Sequence, residues 1–186
     1  MDKNKNDSAE DGARLEGGRV FQPLRIAVLT VSDSRDESSD RSGKLLAESL
    51  QAAGHRLHDK RIVPDEPARV REAVAGWCVP DGPHAVLVTG GTGITGRDGT
   101  PEAVRPLFDK EIPGFGEMFR SLSYQEIGTS ALQSRAVAGV SGGCYIFCLP
   151  GSPGACRTAW DRIVAAQLDS RTRPCNLAEL MPRLNE

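Results

Sequence analysis

Leu24 to Val31 (LRIAVLTV) is a nearly unbroken apolar run, the pattern of a strand covered on both faces. The next apolar positions, Leu46, Leu50 and Ala53, return at helical spacing, with Asp40 or Ser42 as candidate caps and Gly54 as a stop. His55 to Val63 predicts a second strand. Pro64 to Pro67 opens a second helix whose buried side carries Val70, Val74, Trp77 and Cys78. Ala85 to Val88 is a third buried run and leads directly into Thr89-Gly90-Gly91-Thr92-Gly93. Repeated strand, helix, strand order calls for a parallel sheet with helices on both faces, an α/β fold of three α/β/α layers. Shorter helices are expected over 101–108 and 114–126. Ala136 to Val140 and Cys144 to Leu149, around Ser141-Gly142-Gly143, predict a small hairpin near residues 135–149, so the mostly parallel sheet becomes a mixed one. Ser152 and Pro153 start a last long helix through Cys156, Ala159, Trp160, Ile163, Val164 and Leu168.

Outside this pattern lie two ends. Residues 1–22 open with charged and glycine positions and few apolar ones, and a disordered tail is expected there. The α/β domain spans 23–168. Residues 169–186 carry Leu177, Leu180, Met181 and Leu184, which calls for an extension docked on the domain or on a neighbouring subunit.

Composition adds three exclusions. A net charge of −2 supplies no basic stripe for nucleic acid. No run approaches the roughly 18–20 apolar residues of a membrane helix, and no apolar signal core follows Met1, so a cytoplasmic location is expected. The five cysteines are odd in number and form no C-x-x-C pair, which leaves buried thiols as the better reading over disulfides or a zinc site. His55 and His58, three apart in a strand, face opposite ways and make poor joint ligands. Against 5% aromatic residues stand 20 glycines and 12 prolines, the signature of many shaped turns, where ligands are commonly held.

Three of those turns follow the C-terminal ends of parallel strands and share one sheet edge: Ser32 to Gly43, Thr89 to Pro101 and Pro150 to Gly154. In the second, glycines either bring backbone N–H groups up to an anion or simply make a tight turn. It matches neither a Walker P-loop nor a dinucleotide fingerprint. Asp98 hangs over the same mouth and is either a Mg²⁺ ligand beside bound phosphates or a cap for the helix at Pro101. Asp65 has the same two readings for the helix at Pro67. Ser152 is a phosphate seat or an ordinary cap, and Ser134-Arg135 a further site cation or a strand-start pair. With three histidines in unhelpful contexts no nucleophilic triad can be assembled, which leaves electrostatic chemistry on phosphates.

Val31-Ser32-Asp33-Ser34-Arg35, Asp40-Arg41-Ser42-Gly43, Thr89 to Gly93 with Arg97-Asp98 and Thr100-Pro101-Glu102-Ala103, and Leu149-Pro150-Gly151-Ser152-Pro153 resemble the molybdopterin-binding family of molybdenum cofactor biosynthesis. Gly114 to Arg120, Glu126 to Ser130, Leu132 to Arg135, Ala155 to Trp160 and Arg171 to Asn176 are similar to its protein B branch. The resemblance implies a homotrimer or homohexamer that adenylylates molybdopterin with Mg²⁺ and ATP, releasing pyrophosphate; other cofactor-assembly proteins are possible partners. It implies Asp65 and Asp98 as catalytic carboxylates, Asp98 as the Mg²⁺ ligand. Ser32, Asp33, Ser42, Gly43, Thr89, Gly90, Gly91, Thr92, Gly93, Glu102, Ser134, Pro150, Gly151 and Ser152 would bind substrate. Some protein B members depart from the Asp-Glu pair after the second strand and are regarded as inactive, whereas this chain keeps Asp65-Glu66. Gly99 stands where a larger apolar residue is common in the family, which is expected to loosen the loop holding Asp98. The alternative is a binder that holds molybdopterin without turning it over.

Overall fold

A computed structural model of the protein describes residues 14–15 and 18–186. In chain order its strands are β1 (Arg14–Leu15), β2 (Arg25–Val31), β3 (Arg56–Val63), β4 (Ala85–Thr89), β5 (Lys110–Glu111), β6 (Val137–Ser141), β7 (Cys144–Leu149) and β8 (Thr172–Arg173). The helices are α1 (Arg41–Ala52), α2 (Pro67–Trp77), α3 (Thr100–Val104), α4 (Pro113–Ile127), α5 (Pro153–Ala159), α6 (Ala165–Leu168) and α7 (Leu177–Leu180). Six strands form one mixed sheet in the order β3-β2-β4-β7-β6-β5, with the first four parallel and β6 and β5 antiparallel. β1 pairs with β8 in a separate two-stranded ribbon.

Alternation along β2 divides the core in two. Ile26 and Val28 pack with Leu46 and Leu50 of α1, Phe115 and Phe119 of α4, and Trp160 and Leu168. Ala27, Leu29 and Val31 face Val70, Val74 and Trp77 of α2 and Val104 of α3. A sheet with helices on both faces therefore stands, as the unbroken apolar runs require.

Asp40, rather than Ser42, caps α1: its Oδ1 accepts the Gly43 N–H at 2.9 Å. This carboxylate is buried. Its Oδ2 accepts the Thr30 hydroxyl at 2.8 Å and lies 3.0 Å from the Lys60 ammonium, so the charge is paired where it could not be solvated. Gly142 and Gly143 both hold positive φ (54° and 81°), the backbone that closes a two-residue hairpin between β6 and β7. The last helix is not uniform: a π turn, Trp160–Val164, joins α5 to α6 and keeps Trp160, Ile163 and Val164 all buried. All five cysteines are free thiols. His55 is buried, its Nδ1 accepting the Leu24 N–H at 3.2 Å, while His58 is exposed at the bulge between β2 and β3.

Most of the expected 1–22 tail lies outside the described residues. Within them, Phe21 sits 5.1 Å from the His55 ring, and the Gln22 N–H donates to Ser170 Oγ at 3.0 Å. At the other end, Leu177, Met181 and Leu184 pack against the first core, and the Tyr145 hydroxyl donates to the Leu177 carbonyl at 2.9 Å. Among the described residues no helix is long and apolar enough to cross a membrane.

Candidate functional site

The three loops at the C-terminal edge of the parallel strands are joined by bonds to main-chain carbonyls, most of them donated by side-chain hydroxyls. Thr89 Oγ1 donates to the Pro150 carbonyl at 2.9 Å, Gly90 N–H to that of Leu149 at 3.0 Å, and Ser42 Oγ to that of Gly151 at 2.8 Å. Thr100 Oγ1 donates to the Gly90 carbonyl at 2.9 Å. Gly90 (φ 109°) and Gly91 (φ 63°) adopt backbone that favours glycine, and neither has room for a side chain. A Cβ on Gly90 would lie 2.2 Å from the Val31 carbonyl, and one on Gly91 would lie 2.4 Å from Thr100 Oγ1 and 2.9 Å from Asp65 Oδ1.

Above this floor is a cavity of about 650 Å³, a size suited to a small organic ligand. Ser32, Gly90, Gly91, Thr92, Gly93, Asp98, Ser134, Pro150, Gly151 and Ser152 line it, so residues from all three loops converge. Other sequence-predicted site residues are placed behind or beside it. Thr89 is fully buried and spends its hydroxyl on Pro150. Ser42 and Gly43 hold the loops and the α1 cap. Asp33 faces a neighbouring cleft with Asp36 and Glu37. Glu102 is turned to the Arg135 guanidinium. Ser152 Oγ accepts the Ala155 N–H at 3.2 Å, so its side chain caps α5 while the residue borders the cavity.

One wall contains none of the residues that the sequence marks as site candidates. Phe119, Ser123 and Ile127 of α4 and Ser130, Ala131 and Gln133 of the following 3₁₀ turn close the far side. Ser123 is buried in an otherwise apolar stripe, the one signal in the sequence that this helix faces something polar. Arg35 and Ser34 also line the cavity.

Neither key carboxylate is a helix cap. Gly99 is the N-cap of α3 and Glu66 that of α2, both without a side-chain bond. Asp98 instead closes its own loop: Oδ2 accepts the Thr95 N–H at 2.8 Å and hydroxyl at 2.6 Å. Burial pushes the Asp98 carboxyl up, but Thr95, the Gly93 amide and Arg135 together hold it below the usual carboxylate range. Asp65 goes the other way. Burial raises its pKa, and the Asp98 and Asp33 charges raise it further. Its Oδ1 is buried without a hydrogen-bond partner. Asp33 is held low, first by the Asp65 N–H that it accepts at 2.9 Å and then by Arg97, 2.6 Å away.

Arg135 is the brace of this loop rather than a free site cation. Its guanidinium donates to the Gly93 carbonyl at 2.6 Å and the Asp98 carbonyl at 2.8 Å, and it pairs with Glu102. Among the described residues no three His, Cys, Asp or Glu side chains gather as a metal cage. The donor chemistry still fits Mg²⁺, which takes one or two protein carboxylates and keeps phosphates and water for the rest: Asp98, its carboxyl held low, lines the cavity, whereas Asp65 is outside the lining, its Oδ1 buried behind Gly91 without a partner.

Gly99 does not act as a loosening gap. A Cβ there would meet the Pro67 ring at 2.8 Å, so the glycine lets the Asp98 loop lie directly on the start of α2. Gly99→Ala is expected to cost about 1–3 kcal/mol by overpacking, read as a lower midpoint in thermal or urea unfolding.

Residues 27–170 match the family described as "Probable molybdopterin binding domain". The chain is 57% identical over 156 residues to molybdenum cofactor biosynthesis protein B of Escherichia coli, covering 84% of this chain and 92% of that one. It is 47% identical over 146 residues to the protein of that name from Bacillus subtilis, covering 78% and 86%. A crystal structure of molybdenum cofactor biosynthesis protein B superposes with a TM-score of 0.81 at 40% identity, over 90% of this chain and 99% of that one. The tungsten cofactor synthesizing protein MoaB from Pyrococcus furiosus superposes at 0.73 with 35% identity, over 89% and 99%.

Proposed function

The chain belongs to the molybdopterin-binding family of molybdenum cofactor biosynthesis, and we propose that its own reaction is the Mg-ATP-dependent adenylylation of molybdopterin. In that reaction a terminal phosphate oxygen of the pterin bonds to the α-phosphorus of ATP as the bond to the pyrophosphate oxygen breaks. The products are adenylylated molybdopterin and pyrophosphate. What supports the reading is the pair Asp65 and Asp98: Asp98 lines the cavity, Asp65 lies behind Gly91 close enough to feel the Asp98 charge, and neither is used as a helix cap.

Phosphate transfer of this kind asks a protein for positioning and charge compensation, not for a covalent nucleophile. Asp98, locked by Thr95, would hold Mg²⁺, with Asp65 as the second carboxylate; the ion would supply neutralisation of the triphosphate and polarisation of the α-phosphate. Arg135 keeps the Gly93 to Asp98 loop rigid, so that Asp98 need not be reorganised when substrate arrives. The α4 wall accepts the pterin and excludes water from that side.

Purified protein incubated with molybdopterin and Mg-ATP is expected to form adenylylated pterin and one pyrophosphate for each. Bound pterin with no pyrophosphate would leave a binding protein and end the enzymatic reading. We extend the proposal to a cytoplasmic homotrimer or homohexamer. Met118, Tyr124 and Ile127 of α4 and Leu132 just after it are exposed apolar side chains, which a self-association surface would cover. Light scattering should give three or six times the 19.9 kDa of one chain; a monomer would refute this part.

A further inference from the structure

Among the described residues, the cavity is lined by many hydroxyls but only two charged residues, Arg35 and Asp98. Three other cations around the loops are already paired. Arg97 pairs with Asp33, Arg135 with Glu102, and Lys60 with Glu37 and Asp40. Arg35 differs: among the described residues no carboxylate lies within ion-pair distance of it, although it is half-buried at the cavity. A guanidinium withdrawn from water without a counter-charge is unfavourable until an anion joins it.

Its position is fixed from behind. Nη1 donates to Ser42 Oγ at 3.3 Å, and Ser42 donates to the Gly151 carbonyl at 2.8 Å, so Arg35 stands where the first and third loops meet. The Arg35 charge is also felt by the buried Cys156 thiol beneath the Pro150 turn, where, after burial and the Thr89 and Ser42 contacts, it is a further influence. Held this way, the planar fork has donors to spare for a phosphate, whose oxygens it matches two at a time. Asp98, the other charged residue of the lining, repels an unaccompanied phosphate.

We propose that Arg35 recognises the phosphate monoester of the pterin substrate and thereby sets its direction in the cavity, phosphate toward the junction of the first and third loops and ring toward α4. This rests on the reading of the substrate as molybdopterin. A nucleotide phosphate has the same chemistry, and the experiment separates the two sources.

Arg35→Gln, Arg35→Lys and, as a control for net charge, Arg41→Gln would be titrated with molybdopterin, with its dephosphorylated form and with α,β-methylene-ATP in Mg²⁺, by equilibrium binding. Arg35→Gln is expected to lose roughly 10- to 100-fold in molybdopterin affinity, the range of a charged hydrogen bond. Dephosphorylated pterin and the nucleotide analogue should bind as before, Arg35→Lys should recover part of the loss, and Arg41→Gln should match the parent protein. An unchanged molybdopterin affinity in Arg35→Gln overturns the proposal. So does an equal loss for dephosphorylated pterin, which would mean a structural role, or a loss confined to the nucleotide. A parent protein that binds molybdopterin without releasing pyrophosphate removes the adenylylation reading and leaves Arg35 in place; one that binds no molybdopterin removes both.

Discussion

Asp98→Asn should lower adenylylation by at least roughly 10²-fold, the scale set by losing a charged group that stabilises a phosphate transition state, while the fold survives. The asymmetry follows from what the carboxylate does at rest. It accepts from Thr95, and the amide oxygen of asparagine can accept in its place, so the loop stays closed. α3 is untouched because Gly99 is its N-cap. The folded pKa of Asp98 is depressed, so its charge contributes stability above the unfolded value of 3.8, and that contribution is lost as pH falls through the folded value. Any small cost of Asp98→Asn seen at pH 7 should therefore fade in acid. Pyrophosphate release and thermal melting measure the two halves; a variant that unfolds would show that loop closure is the principal task of Asp98.

For Asp65 the two halves should move in opposite directions. Asp65→Asn is expected to lose adenylylation on a similar scale, yet to raise the melting temperature at pH 7 by a few degrees. The carboxylate is raised in pKa by burial and by Asp98 and Asp33, and one oxygen is buried without a partner. Ionising it therefore works against folding, and the amide removes that burden. The sign is fixed by linkage: a raised carboxyl destabilises the fold above its folded pKa, and the penalty disappears as pH falls toward the unfolded value of 3.8. The melting advantage of Asp65→Asn should vanish in the same direction. A variant less stable than its parent at pH 7 would mean that Asp65 is held by contacts that outweigh its repulsion.

Much of this arrangement can be read along the chain, because its cause is local. β2 and β4 are covered on both faces and so appear as continuous apolar runs, and the hairpin betrays itself through Gly142-Gly143. β5 is different in kind: Lys110 and Glu111 are exposed edge residues held by pairing to Val140 and Gly139, and nothing in their own side chains specifies a strand. Burial of Asp40 against Lys60 and Thr30, and the bracing of the Asp98 loop by Arg135, join residues far apart in sequence and leave no periodic trace. The cavity is legible in the sequence where its lining is glycine turns and Asp98. Its α4 wall is not, since Phe119 and Ile127 look like any core-facing stripe. Arg35 falls between these cases. It stood inside a motif, but its lack of a carboxylate partner is a property of space and not of order.

The main-chain floor beneath the cavity has a consequence for how such a protein can change its ligand. Gly90 lies against Gly151 so closely that a Cβ on Gly151 would be 3.3 Å from the Gly90 Cα, and Gly91 is hemmed in by Thr100 and Asp65. A surface built from peptide groups presents the same chemistry whatever the codons around it do, and most substitutions there end in collision. Adaptation to a new ring system has to be written on the opposite wall, at Ser123, Ile127, Ser130 and Gln133, where single replacements alter shape and polarity without disturbing the joints between loops. The floor acts as a fixed anvil and the α4 wall as the exchangeable die.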